Sequence, residues 1–162
     1  MRQAIGTTWI LQLVIIFMLI FVAFLALSIN YTKAFKIKND IVTIVEKYEG
    51  VSEGEDGSIS IINNYLRYNN YTVMGSCQTG DYGIQNLDEP ILRPAQSGEK
   101  YFYCVRKVST STDALKDRAK YNVRLFFKFS LPVIGNIFTF QVDGTTINLT
   151  RPINDIPEVY EE

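Results

Sequence analysis

Across 162 residues the chain carries sixteen basic and seventeen acidic side chains, a formal net charge of −1, two cysteines and no histidine. Intermingled charge close to neutrality leaves no electrostatic footprint for a nucleic acid. The lack of histidine excludes Ser-His-Asp and Cys-His catalysis and the ordinary transition-metal sites. No enzyme activity, cofactor or metal is therefore expected, and a carboxylate-based hydrolase is the one enzymatic reading left open.

The first fifty residues organise the rest. From Ile10 to Ile29 there is no charged residue, no Gly and no Pro, and Gln12 is the one strongly polar side chain. Twenty such residues in a helix span roughly 30 Å, one bilayer core. Trp9 and Tyr31 bracket the stretch where amphipathic rings favour the headgroup layer, with Phe17, Phe21 and Phe24 between them. The expected order is a short cytoplasmic N-terminus over residues 1–8, a transmembrane helix over 9–30, a helical extension over 31–49 and an extracytoplasmic α+β domain over 50–162. A retained anchor is expected over a cleaved secretory signal. Arg2 and Ala26-Leu27-Ser28 suit the ends of such a signal, but the apolar core exceeds the roughly 7 to 15 residues usual for one.

Beyond Asn30 the helical period continues. Ile37, Ile41, Ile44, Val45 and Tyr48 recur at spacings of three and four, while Lys36, Lys38, Asp40, Glu46 and Lys47 take the other faces. The first helix should run from about Ile5 to Tyr48, and Gly50, Gly54 and Gly57 mark the loop after it. Ser58 suits the cap of a second, short helix over Ile59 to Tyr68, ending at Asn69-Asn70. Tyr71 to Cys77 alternates like a short strand, and residues 78–98, with three Gly and two Pro, read as a long loop. Lys100 to Val108 reads as a second strand, Ser109 to Lys116 as a turn and Thr112 to Arg118 as a single helical turn. The strongest strand signal is Tyr121 to Leu131. Tyr121, Val123, Leu125, Phe127 and Phe129 make one apolar face, opposite Asn122, Arg124 and Lys128. Pro132 to Asn136 should turn the chain into a hairpin partner over Ile137 to Asp143. Asp143-Gly144 reads as a turn before Thr145 to Leu149, a further strand or an extension across a bulge.

These elements make an α+β protein in which a long N-terminal transmembrane helix continues into an amphipathic helix packed on a small antiparallel sheet. The stripe of Ile37, Ile41, Ile44, Val45 and Tyr48 and the face of Val123, Leu125, Phe127 and Phe129 need cover, and each supplies it to the other.

Cys77 and Cys104 are expected to pair, which closes a loop worth ~3 kcal/mol in the chain-entropy account and suits an outward-facing domain. Lys33, Lys36 and Lys38 pull the other way, because positive charge following a span favours the cytoplasm. The N-in, C-out arrangement is retained as the expectation. Glu53, Glu55 and Asp56 do not match a calcium loop, and neither they nor Asp81, Asp88 and Glu89 are expected to hold a metal.

The short polar N-terminus, the span from Trp9 to Ile29 running into a charged helix, and the pattern from Tyr121 through Phe126-Phe127-Lys128-Phe129 to Gly135 resemble TadE-like minor pilins of tight-adherence (Flp, type IV-like) pilus systems. The resemblance implies a pilin-like fold, insertion in the cytoplasmic membrane with the globular part outside, and a role assisting assembly of a pilus or a related secretion apparatus. Partners would be membrane lipid, other pilin-like subunits and the machinery itself. It also implies Gly6 as a candidate processing residue, although Leu11 and the neutral Gln12 stand where such precursors carry a Glu. The alternative is a membrane-anchored extracytoplasmic binding module using the Cys77–Cys104 loop.

Overall fold

A computed structural model describes residues 2–109, 118–131, 135–150 and 153–154, with the side chains of 2–8, 129–131, 135–138 and 153–154 outside that description. The expected turns over Ser109 to Lys116 and Pro132 to Asn136, and the helical turn from Thr112, fall largely outside the described residues. Helix α1 spans Arg2–Lys47 without a break. Its 46 residues reach about 70 Å. The polar residues at the end of the apolar stretch do not interrupt it, because their side chains bond back onto the preceding turn: Asn30 Nδ2 donates to Ala26 O (3.0 Å) and Thr32 Oγ1 to Ser28 O (2.9 Å). The helix stops one residue short of the expected Tyr48, where Glu49 turns left-handed at φ 54° and its N–H reaches Glu46 O.

Strand β1 (Gly50–Val51) follows and pairs in parallel with β8 (Ile153–Asn154). Helix α2 spans Ser58–Tyr68. Ser58 does not cap it. Gly57 holds that position, and the Ser58 side chain is buried, donating to Gly50 O and accepting from Ser52 N–H, while Ser52 Oγ accepts from Ser58 N–H. The capping work thus passes to Ser52, six residues upstream, because the Gly-rich loop folds back over the helix start. At the other end, Asn70 adopts φ 51° and two reversed bonds close the helix, Asn70 N–H to Arg67 O and Tyr71 N–H to Leu66 O. Asn tolerates that conformation better than most residues, which is why Asn69-Asn70 ends the element.

The main sheet has the order β3-β2-β4-β5-β6, from Arg93–Pro94, Tyr82–Ile84, Tyr103–Ser109, Arg118–Leu131 and Gly135–Thr145, all antiparallel. Strand β7 (Leu149–Thr150) pairs with the start of β5, continuing the β6 edge past residues 146–148. Thr146 bridges that bulge by exchanging bonds with the Tyr121 backbone.

Three strand expectations are corrected. Tyr71 to Cys77 is not a strand and forms a single bridge, Gly75 to Tyr101. The reason is packing: the Phe126 ring lies where a Cβ on Gly75 would stand, and the Tyr71 phenol bonds to both backbone groups of Phe126 just past the last β4 pairing, Tyr103 with Leu125. The long loop between the cysteines contains β2 and β3, with Gly83 opposite Cys104. Asp143-Gly144 is not a turn but lies inside β6. A Cβ at Gly144 would stand 2.8 Å from Val42 Cγ2 and 2.9 Å from Lys38 Cδ, so this glycine marks a place where α1 crosses β6 closely.

Both helices cover one face of the sheet. Ala34, Ile37, Ile41 and Val45 from α1, and Ile59, Ile62 and Leu66 from α2, share a single core with Tyr103, Val105, Tyr121, Val123, Leu125 and Phe127. Ile44 packs against this core half-buried, and Tyr48 is likewise half-buried at the helix end. The side chain of Phe129 lies outside the described residues.

Candidate functional site

The first feature of functional weight is the bare part of α1. Its sequence is helical and apolar on every face, so no rotation about the axis buries it against one small sheet. Trp9 is 73% exposed and Phe24 65%, and Gln12, Phe17, Phe21 and Tyr31 are exposed too. This is one helix long and apolar enough to cross a membrane, with none of its most apolar window buried inside the protein. Gly6 lies within α1, and its surroundings fall outside the description.

The second is the disulfide-braced outer face of the sheet. Cys77 and Cys104 are joined, their Cα atoms 5.7 Å apart, which ties the irregular segment after α2 to the start of β4. Alternation along β4 and β5 puts Tyr103, Val105, Val123 and Leu125 toward the helices and Cys104, Arg106 and Arg124 toward the other side. The turn after Cys77 then brings Asp81 under both arginines. Asp81 is 4% exposed, its Oδ1 accepting from Arg106 Nε (2.7 Å) and its Oδ2 from Arg124 Nη1 (3.1 Å) and from Gln78 N–H (2.8 Å). Arg124 Nε also donates to Asp143 Oδ1 (2.8 Å), and Arg106 Nη2 to Thr79 O. Both carboxylate oxygens of Asp81 are thus occupied, and neither can reach a ligand without breaking an ion pair. Beside it lies a polar concavity of about 340 Å³ that includes Gln78, Asn122 and Thr145 in its lining.

The acidic residues singled out from the sequence are not gathered together. Glu53 accepts from Leu92 N–H, Asp88 pairs with Arg67 and Glu89 with Arg93, while Asp81 sits on the opposite side of the disulfide loop's sheet. Among the described residues, Cys77, Asp81 and Cys104 do approach one another closely enough for a metal. The two sulfurs are bonded to each other and the carboxylate is taken by two arginines, so this donor set does not fit one.

Tyr65, Tyr71, Tyr101 and Tyr103 are core and seam elements, whereas Tyr68 is exposed. Burial pushes the phenol of Tyr103, which donates to Asn63 Oδ1, and that of Tyr71 well above the ordinary value. Tyr65 on α2 donates to Asp40 on α1, and burial together with that carboxylate raises its pKa to about 12. This bond locks the two helices together beside the core stripe. The Asp81 lattice was not foreseen from the sequence. The available signal was Arg106 and Arg124 on the outward parity of adjacent strands, an arrangement that calls for a carboxylate from elsewhere in the chain.

Compared with protein-family models, with curated proteins and with solved structures, the chain matches none of them.

Proposed function

We propose that this protein is a single-pass membrane-anchored structural subunit of pilin-like, TadE-like type, which assists assembly of a type IV/Flp-type pilus or a related secretion apparatus. One observation carries the reading. The same unbroken helix is bare and apolar on all sides from Trp9 to Ile29 and packs into the core of an α+β domain from Ala34 to Val45, so the domain is held rigidly to whatever the bare part enters. Disulfides persist in oxidising compartments, which supports an extracytoplasmic domain and a cytoplasmic N-terminus. The function then lies in contacts: α1 against neighbouring membrane helices and the sheet domain against partners outside, with no residue assigned to chemistry.

Site-directed crosslinking tests it. Cys introduced singly at Phe17 or Phe21 is expected to crosslink, within the membrane, to transmembrane helices of pilin-like or secretion-apparatus subunits. Crosslinks confined to lipid, with pilus or secretion output unchanged on deletion of the chain, would refute it. A second reading, a binding module on the same anchor, is favoured by the concavity beside the disulfide. In that case Asn122→Ala and Thr145→Ala abolish ligand binding while crosslinking from α1 is unaffected.

A further inference from the structure

The apolar stretch of α1 ends at Ile29, and Lys33 stands about 6 Å beyond it, the depth of the headgroup layer flanking a hydrocarbon core. At this level α1, β5 and the segment leaving α2 enclose a cleft of about 140 Å³. Its floor is apolar, built from Ile37, Tyr71 and Phe127. Lys33, Lys128, Asn30 and Asn70 complete its lining, and among the described residues no carboxylate lines it. Among the described residues Arg67, Arg93, Arg106 and Arg124 are all in ion pairs, whereas none engages Lys33 or Lys128. Two cations from elements distant in sequence thus line one concavity with no anion among the described residues to neutralise them. Directly below, Val22, Ala26 and Ile29 continue the flank of Lys33 at helical spacing, with a small residue in the middle of an exposed apolar path.

We infer that this cleft binds the phosphate of an anionic phospholipid, with Lys33 and Lys128 as its ligands and an acyl chain laid along the Val22, Ala26 and Ile29 flank. The inference rests on the membrane reading of α1. A zwitterionic headgroup fits less well, because its own cation would meet two lysines and no carboxylate. The assignment gives the lysine closest to the span a task in the headgroup layer other than setting orientation, and it seats the sheet against the bilayer surface.

The test uses the full chain reconstituted into vesicles of phosphatidylcholine alone or mixed with phosphatidylglycerol. Flotation reports insertion, and native mass spectrometry of the protein released from mixed vesicles reports the lipid retained. Wild type is expected to float with both vesicles and to retain phosphatidylglycerol in preference. Lys33→Gln and Lys128→Gln, both at exposed positions that the fold does not need, are each expected to lower that preference about fivefold, the scale of one basic side chain at an anionic surface. Lys36→Gln, the same charge change outside the cleft, is expected to do less. Equal retention of the two lipids, an equal loss from Lys36→Gln, or binding of inorganic phosphate with no preference among lipids would overturn the inference while leaving the anchor intact. Failure to float with either vesicle would instead overturn the membrane reading beneath it.

Discussion

The two halves of α1 have the same backbone and opposite surroundings. Between Trp9 and Tyr31 large apolar side chains point in every direction and touch almost nothing else in the protein. Between Ala34 and Val45 four positions, spaced three, four and four apart, are buried to within a few per cent, and Lys36, Lys38, Asn39, Asp40 and Thr43 occupy other faces. A helix therefore carries its destination in the angular distribution of its apolar residues and not in their number. An all-round coat needs a solvent that is itself apolar, whereas a stripe needs a sheet. The polar collar of Asn30, Thr32 and Lys33 divides the two regimes without breaking the helix, because Asn30 and Thr32 satisfy themselves on their own carbonyls.

The sharpest way to break this comparison is to make one truncation in each half. Ile41→Ala removes a fully buried side chain from the core and is expected to cost about 2–5 kcal/mol of domain stability. Ile16→Ala is expected to change that stability by less than about 0.5 kcal/mol. Denaturant unfolding in detergent, followed by tyrosine fluorescence of the sheet domain, measures both, and similar losses would end the distinction between the halves.

Replacing both Cys77 and Cys104 by Ser is expected to lower domain stability by ~3 kcal/mol in the loop-entropy account, with vesicle insertion of α1 unchanged. A loss of insertion would mean that the anchor depends on the domain. Asp81→Ala leaves Arg106 and Arg124 facing each other. Because both guanidinium groups keep some contact with solvent, the expected cost is about 2 kcal/mol, below the range for fully buried pairs. Double-mutant cycles with Arg106→Ala and Arg124→Ala apportion it.

The smallest effect concerns the seam between the helices. Tyr65→Phe removes the bond to Asp40 and is expected to cost about 1 kcal/mol. With its pKa raised from 10.0 to about 12 in the folded state, Tyr65 contributes stability that is fully present below pH 10 and is lost as pH rises through about 12. Alkaline titration of stability in wild type should therefore fall more steeply across that window than in Tyr65→Phe, and identical slopes would remove the Asp40 contact from the account.

Much of this architecture was legible in local pattern. A run of twenty residues without a charge, nearly all apolar, announces a bare helix, and the alternation from Tyr121 to Leu125 announces a strand with one buried face. What local pattern missed depends on distant neighbours. Tyr82-Gly83-Ile84 is too short and too Gly-rich to read as a strand, and becomes one because the disulfide holds it beside β4. Asp143-Gly144 has turn chemistry, yet the glycine is there to admit α1. Ser58 has capping chemistry, yet it serves the loop that folds over it. Phe126, on the outward parity of β5, is buried because Gly75 lets another segment cover it. Asp81 gave no signal of its own, since its partners lie twenty-five and forty-three residues further along the chain.

The most direct test of the central claim, a single membrane anchor holding a disulfide-braced domain outside the cytoplasm, is thiol labelling of intact cells. A membrane-impermeant reagent is applied with and without prior reduction. The account predicts labelling of Cys77 and Cys104 in intact cells only after reduction. Labelling that requires lysis and needs no reductant would place free thiols in the cytoplasm, agree with the charge of Lys33, Lys36 and Lys38, and contradict it.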